Sequence, residues 1–202
     1  MDYLSLKKYT RPRSIVDRNI NSLRKLTKSK KLPTGNSKLT SDGLVKTETS
    51  FLEFYINDEP LSKLLDKFYG TDGSILDNWI GVLGWTVNKK TDIVKVKQLL
   101  GKNISDKDIK EMFPAEWTDN EFQNNLENVR EELSDPNIII YCCAECGHYQ
   151  CGGITVRIKK TDDAFVWTLR NEDKRLTFRF DKYQYFDLFD QYIRKLEKGL
   201  TS

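Results

Sequence analysis

Ile138-Ile139-Ile140-Tyr141-Cys142, Ile154-Thr155-Val156-Arg157-Ile158-Lys159, Phe165-Val166-Trp167-Thr168-Leu169 and Leu176-Thr177-Phe178-Arg179-Phe180 succeed one another along the chain, and their pattern decides the fold. The first stretch is β-branched and apolar at successive positions, as a strand covered on both faces requires. In the second, Ile154, Val156 and Ile158 alternate with Thr155, Arg157 and Lys159, the period of two that gives a strand one dry and one wet face. Phe165, Trp167 and Leu169 repeat that period, as do Leu176, Phe178 and Phe180, and Asp162-Asp163 marks a turn. Tyr185, Leu188, Phe189, Tyr192, Ile193 and Leu196 then recur at three- and four-residue spacing, which predicts a C-terminal helix. An antiparallel β-meander packed against several helices is expected, an α+β fold.

Upstream of Asp135-Pro136, Thr118 with Glu121 forms a capping box, flanked by Trp117 and Phe122 as a hydrophobic staple. Phe122, Leu126, Val129 and Leu133 continue as one stripe, predicting a helix from 119 to about 133 whose other face carries Glu127, Arg130, Glu131 and Glu132. Ser105 with Asp108, between Ile104 and Ile109, marks another helix start, and Thr91 is a candidate cap for a helix stopped by Gly101. Trp79 to Trp85 is apolar with two glycines, fitting a short buried strand or a packed loop. Leu52 to Asn57 is expected as a strand, with a turn after it at Asp58-Glu59-Pro60 and then a helix with Leu61, Leu64, Leu65 and Phe68 on one face, closed by Gly70.

Towards the N-terminus, Ser14 with Asp17 resembles a capping box, and Val16, Ile20 and Leu23 keep helical spacing, so a basic amphipathic helix is expected from about 14 to 27. Lys28 to Lys38 has the Pro, Gly, Ser and Lys content of a linker. These signals divide the chain into a basic N-terminal helix and linker, 1–48, and a single α+β domain, 49–202. Charge obeys the same division. Residues 1–50 hold 12 Lys or Arg against 4 Asp or Glu, net +8, whereas 51–202 hold 21 against 26, net −5. A basic arm suits nucleic acid or an acidic partner, and a mildly acidic body suits a basic protein.

With 38% hydrophobic and 31% charged residues, including ten Phe and nine Tyr, the chain can bury a core and stay soluble. No apolar run approaches the ~20 residues that span a bilayer, and the first residues lack the apolar stretch of a secretory signal, so no membrane association is expected and the cytoplasm is the expected location.

All four cysteines and the single histidine fall in Cys142-Cys143-Ala144-Glu145-Cys146-Gly147-His148-Tyr149-Gln150-Cys151. Disulfides so crowded would tie nothing distant together. A C-x-x-C-G turn at a strand end offers two thiolates to zinc, and Cys143, Cys146, His148 and Cys151 together would make a four-ligand structural site. Cys142 and Cys143 should point to opposite faces of their strand, which leaves Cys142 as a small core residue. A redox motif wants a helix after C-x-x-C, which Gly147, Gly152 and Gly153 disfavour. For a Cys/His nucleophile, with His148 near Cys146, no oxyanion hole or orienting carboxylate is identifiable. The plain alternative is a tight glycine turn with small buried cysteines and no cofactor at all.

From about residue 51 to 196 the order of elements, with C-x-x-C-G-x-x-x-C-G-G before T-x-R-I and a Trp-containing strand, resembles a set of uncharacterised bacterial proteins. The match is carried by Cys143, Cys146, Gly147, Cys151, Gly152, Gly153, Thr155 and Trp167. It implies no established activity and supplies no catalytic residue. In size and character the chain is also similar to the immunity proteins of contact-dependent growth inhibition, which are stand-alone, cytoplasmic and rich in Lys, Asn, Asp and Ile. The function expected from this is a non-enzymatic binding protein that neutralises a cognate toxin, such as a basic nuclease, by covering it. Its candidate contacts are the acidic Glu127, Glu131, Glu132, Asp162, Asp163, Glu172 and Asp173, with Trp and Tyr as interface anchors. The alternative is a zinc-stabilised nucleic-acid-binding or regulatory protein that uses the arm Lys7, Lys8, Arg11, Arg13, Arg18, Arg24, Lys25, Lys28, Lys30 and Lys31.

Overall fold

The structure, a computed structural model, describes residues 1–15, 37–39, 45–85, 88–113, 117–144 and 152–200. Two antiparallel sheets and, among the described residues, five α-helices build an α+β fold. The first sheet contains β1 (Leu4–Ile15), β2 (Ser37–Leu39) and β3 (Val45–Ile56) in the order β1-β3-β2, with the short β4 (Glu59–Pro60) folding back on β3. The second is the expected meander. It runs β5 (Trp79–Gly81), β6 (Asn137–Cys143), β7 (Gly153–Lys160), β8 (Ala164–Asn171) and β9 (Lys174–Asp181), each strand beside the next.

The helices are α1 (Leu61–Tyr69), α2 (Lys89–Leu99), α3 (Asp106–Lys110), α4 (Asp119–Ser134) and α5 (Lys182–Leu200). Both well-marked capping boxes form: Asp108 N–H donates to Ser105 Oγ at 3.2 Å, and Glu121 N–H to Thr118 Oγ1 at 3.2 Å. Helix α2 is capped three residues before Thr91, the expected cap. Asn88, an equally good capping residue, accepts from Lys90 N–H at 3.0 Å and uses its amide to hold the Glu111 and Met112 carbonyls.

The N-terminal segment departs most from expectation. Leu4 to Ile15 form a strand that pairs in continuous register with β3, from Leu4 opposite Ile56 to Ile15 opposite Val45. Ser14 and Ile15, where the sequence predicts the start of a helix, therefore end β1, and the rest of that helical span lies outside the described residues. A partner strand some forty residues away offers the backbone a whole ladder of hydrogen bonds, which a single local cap cannot match. The division placed near residue 48 falls inside β3.

Between the sheets and α5 lies one aromatic core in which Trp167, Tyr141, Tyr185, Phe51, Phe54, Phe165, Phe180 and Phe189 are all fully buried. Phe54 meets Trp167 edge-on at 5.4 Å, so the first sheet packs directly on the second. Trp167 Nε1 donates to Tyr185 Oη at 3.0 Å, and that hydroxyl donates to the Leu99 carbonyl at 3.1 Å, so the two polar groups are satisfied where water is excluded. The sheets also touch through backbone: Leu52 N–H donates to Leu83 O at 2.8 Å, and Asp2 N–H to Arg179 O at 2.7 Å. The glycine-containing Trp79 to Trp85 stretch is strand and then packed loop, and at Gly81 a Cβ would stand 2.6 Å from the Phe51 ring. Ile109, Phe122 and Leu126 form a second, smaller core with Ile104, Phe113, Val129 and Leu133, so the stripe on α4 faces α3 and not the main core.

Candidate polyanion-binding face

Alternation along β7, β8 and β9 sorts their side chains cleanly. Ile154, Val156, Phe165, Trp167, Leu169, Phe178 and Phe180 point into the core and are buried. The positions between them, Thr155, Arg157, Lys159, Arg170, Arg175, Thr177 and Arg179, are exposed, and Thr168 is half-buried among them. In register, Arg157 faces Thr168, Thr168 faces Thr177, and Arg170 faces Arg175. Neighbouring strands lie about 5 Å apart and alternate residues about 7 Å apart, so five cations share one sheet surface with hydroxyls between them.

Carboxylates are scarce on this surface. From Thr155 to Arg179 no outward strand position holds one. Asp163, in the β7–β8 turn, pairs with Arg179 through Nη2 at 2.6 Å, and its carboxyl is held below the usual range by Thr161 and then by Arg179. Asp181, at the end of β9, accepts from the Tyr183 and Gln184 N–H groups at 3.0 Å and so caps α5. A hollow of about 140 Å³ opens on the face, lined by Asn137, Thr155, Arg157, Thr168 and Arg170. Guanidinium forks and hydroxyls in this arrangement suit the oxygens of an anion.

Comparison with protein families, with curated proteins and with solved structures finds no match. The site's chemistry therefore rests on its own geometry.

The acidic residues expected to meet a partner occupy three separate places. Glu127 and Glu131 are exposed on α4, where Glu127 lies 3.5 Å from Arg130. Glu132, beside them, is turned to the nearly buried Lys95 at 3.4 Å, whose ammonium burial pushes down in pKa and Glu132 pushes back up. Asp162 and Asp163 form the β7–β8 turn, and Glu172 and Asp173 the β8–β9 turn, at opposite ends of the eight-residue β8. Those ends are about 25 Å apart. The large aromatics expected as anchors are mostly core: of the described Trp and Tyr, only Tyr3 and Tyr183 are strongly exposed.

Of the four candidate metal ligands, Cys143 is placed, half-buried at the end of β6 opposite Trp79. Cys142 is buried beside it, as alternation requires. Cys146, His148 and Cys151 lie outside the described residues, and among the described residues no three His, Cys, Asp or Glu side chains gather as a metal site.

One buried polar site escapes the sequence reading. Glu53 is fully buried, with Oε1 accepting from Ser62 N–H at 3.1 Å and from the Tyr141 hydroxyl, while Oε2 has no hydrogen-bond partner. Burial pushes its pKa from 4.5 up to about 7, against the opposing pull of Tyr141 and Ser62. A carboxylate inside the otherwise apolar run Phe51-Leu52-Glu53-Phe54-Tyr55-Ile56 was the available signal.

Proposed function

We propose that this protein is a non-catalytic binding protein that takes an anionic macromolecule, nucleic acid foremost, on the outer face of β7, β8 and β9. One observation carries the reading: Arg157, Lys159, Arg170 and Arg175, with the Asp163-paired Arg179, share a surface on which no outward strand position from Thr155 to Arg179 holds a carboxylate. The charge that matters sits on the sheet, not only on the basic N-terminal residues, and a mildly negative total over 51–202 hides it. Described aromatics are absent from these outward positions, which favours contacts to phosphates over stacking of bases and so binding without sequence preference.

The test is binding of labelled single-stranded and duplex oligonucleotides to the full chain at low salt, beside an Arg170→Glu/Arg175→Glu variant. Binding that falls at least tenfold on charge reversal is the expected result. No mobility shift at low salt for the unaltered chain defeats the reading.

A second reading, neutralisation of a basic toxin, draws on α4, whose exposed side carries Glu127 and Glu131 and which sits on a core of its own. Protection from a co-expressed neighbouring toxin, lost in Glu127→Lys/Glu131→Lys, would favour it over nucleic-acid binding.

A further inference from the structure

Within the proposed anion-binding face, two of the four arginines differ from the other two. Among arginines with described side chains, Arg130, Arg175, Arg179 and Arg194 each have a hydrogen-bond or ion-pair partner. Arg157 and Arg170 have none among the described residues, and both line the 140 Å³ hollow. A lone unpaired guanidinium is ordinary on a surface. Two that converge on one concavity bring as many as ten N–H donors with no acceptor of their own.

The rest of the lining agrees. Thr168 Oγ1 lies 3.5 Å from Arg175 Nη2, which donates to it, so the Thr168 hydroxyl proton is left to donate elsewhere. Thr155 adds a second, exposed hydroxyl. Asn137 gives one of its two amide N–H groups to Asp135 Oδ1 at 3.0 Å, which leaves the other to donate elsewhere. Arg170 also stands directly opposite Arg175 in the ladder, a like-charge pairing that is unfavourable in a sheet and that a bridging anion relieves.

We infer that the hollow bounded by Arg157, Arg170, Thr155 and Thr168 binds one phosphate group, the phosphodiester of a nucleic-acid strand, a reading that rests on the function proposed for the face as a whole. A planar carboxylate is satisfied by one guanidinium fork; a tetrahedral phosphate offers oxygens to two forks and two hydroxyls at once. Lys159 and Arg175, about 7 Å and 5 Å further along the sheet, extend the positive surface beyond the hollow, so that neighbouring phosphates of a chain also meet a cation.

The test uses the full chain with arginine side-chain N–H resonances tracked by NMR during titration with inorganic phosphate, chloride being the control at equal ionic strength. Phosphate should shift the Arg157 and Arg170 signals and leave Arg194, on α5, unmoved. In parallel, Arg157→Gln/Arg170→Gln should weaken oligonucleotide binding tenfold or more, whereas Arg194→Gln should not. If the oligonucleotide binds but phosphate moves neither arginine, the pocket is refuted while the basic face survives. If phosphate moves both arginines but no oligonucleotide binds, the pocket survives and nucleic acid is refuted. A phosphoserine peptide that binds more tightly than the oligonucleotide would overturn the phosphodiester assignment.

Discussion

Burial of the Glu53 carboxyl beside Tyr141 and Ser62 makes proton binding and folding a single equilibrium. Its folded pKa of about 7 lies above the ordinary 4.5, so the folded state holds the proton more tightly than the unfolded chain. This contribution to stability is therefore fully present below pH 4.5 and is lost as pH rises to about 7, a change of about 3 kcal/mol. Urea unfolding at pH 5 and pH 7.5 should show wild-type stability falling by a large part of that amount, and Glu53→Gln should remove this component of the slope. An identical pH dependence in both proteins would show that Glu53 titrates normally. The sequence exposes such residues unevenly. The boxes at Ser105 and Thr118 were legible because each is closed within three residues. Glu53 was not, because what buries it comes from Ser62 and from Tyr141, 88 positions away.

Helix α4 shows the same limit one scale up. Its apolar stripe and its start are local and were readable, but which core it enters depends on α3, and that core is small: Ile109, Phe122 and Leu126 are its only buried members among the described residues. Its ties to the rest of the fold include polar ones, Gln98 Nε2 to the Leu133 carbonyl at 3.1 Å and Lys95 to Glu132 at 3.4 Å. A unit held on so small a core opens below the global unfolding free energy. Leu126→Ala, which removes about 2–5 kcal/mol from a packed site, should therefore speed amide exchange throughout α4 while β7 to β9 keep wild-type protection. Equal acceleration everywhere would mean that the two cores fold as one. In β1 the balance runs the other way, since a local signal at Ser14 yields to long-range pairing with β3.

Over the whole molecule, net charge is a poor guide to where an anion is held. The total of +3 combines +8 in residues 1–50 with −5 in the remainder, and that remainder nevertheless gathers cations on the sheet face of β7 to β9. The alternation that makes β7 to β9 strands was plain in the sequence, and Arg157 was visible as an outward residue. Its meeting with Arg170 was not, because register between strands sets it. If phosphates are bound on this face, ions are released from the nucleic acid in proportion to the cations engaged. Arg179 is neutralised by Asp163, which leaves Arg157, Lys159, Arg170 and Arg175. Four contacts to a single strand give a slope of log K against log salt of about −3, or roughly fifty-fold weaker binding between about 50 and 200 mM salt. Arg157→Gln/Arg170→Gln should flatten that slope by about 1.4, the amount two contacts carry. Removal of the Arg194 charge alters the net charge without touching the sheet, and its slope should equal that of the unaltered chain. Equal flattening by both variants would mean that diffuse attraction, and not contact on the sheet, holds the strand.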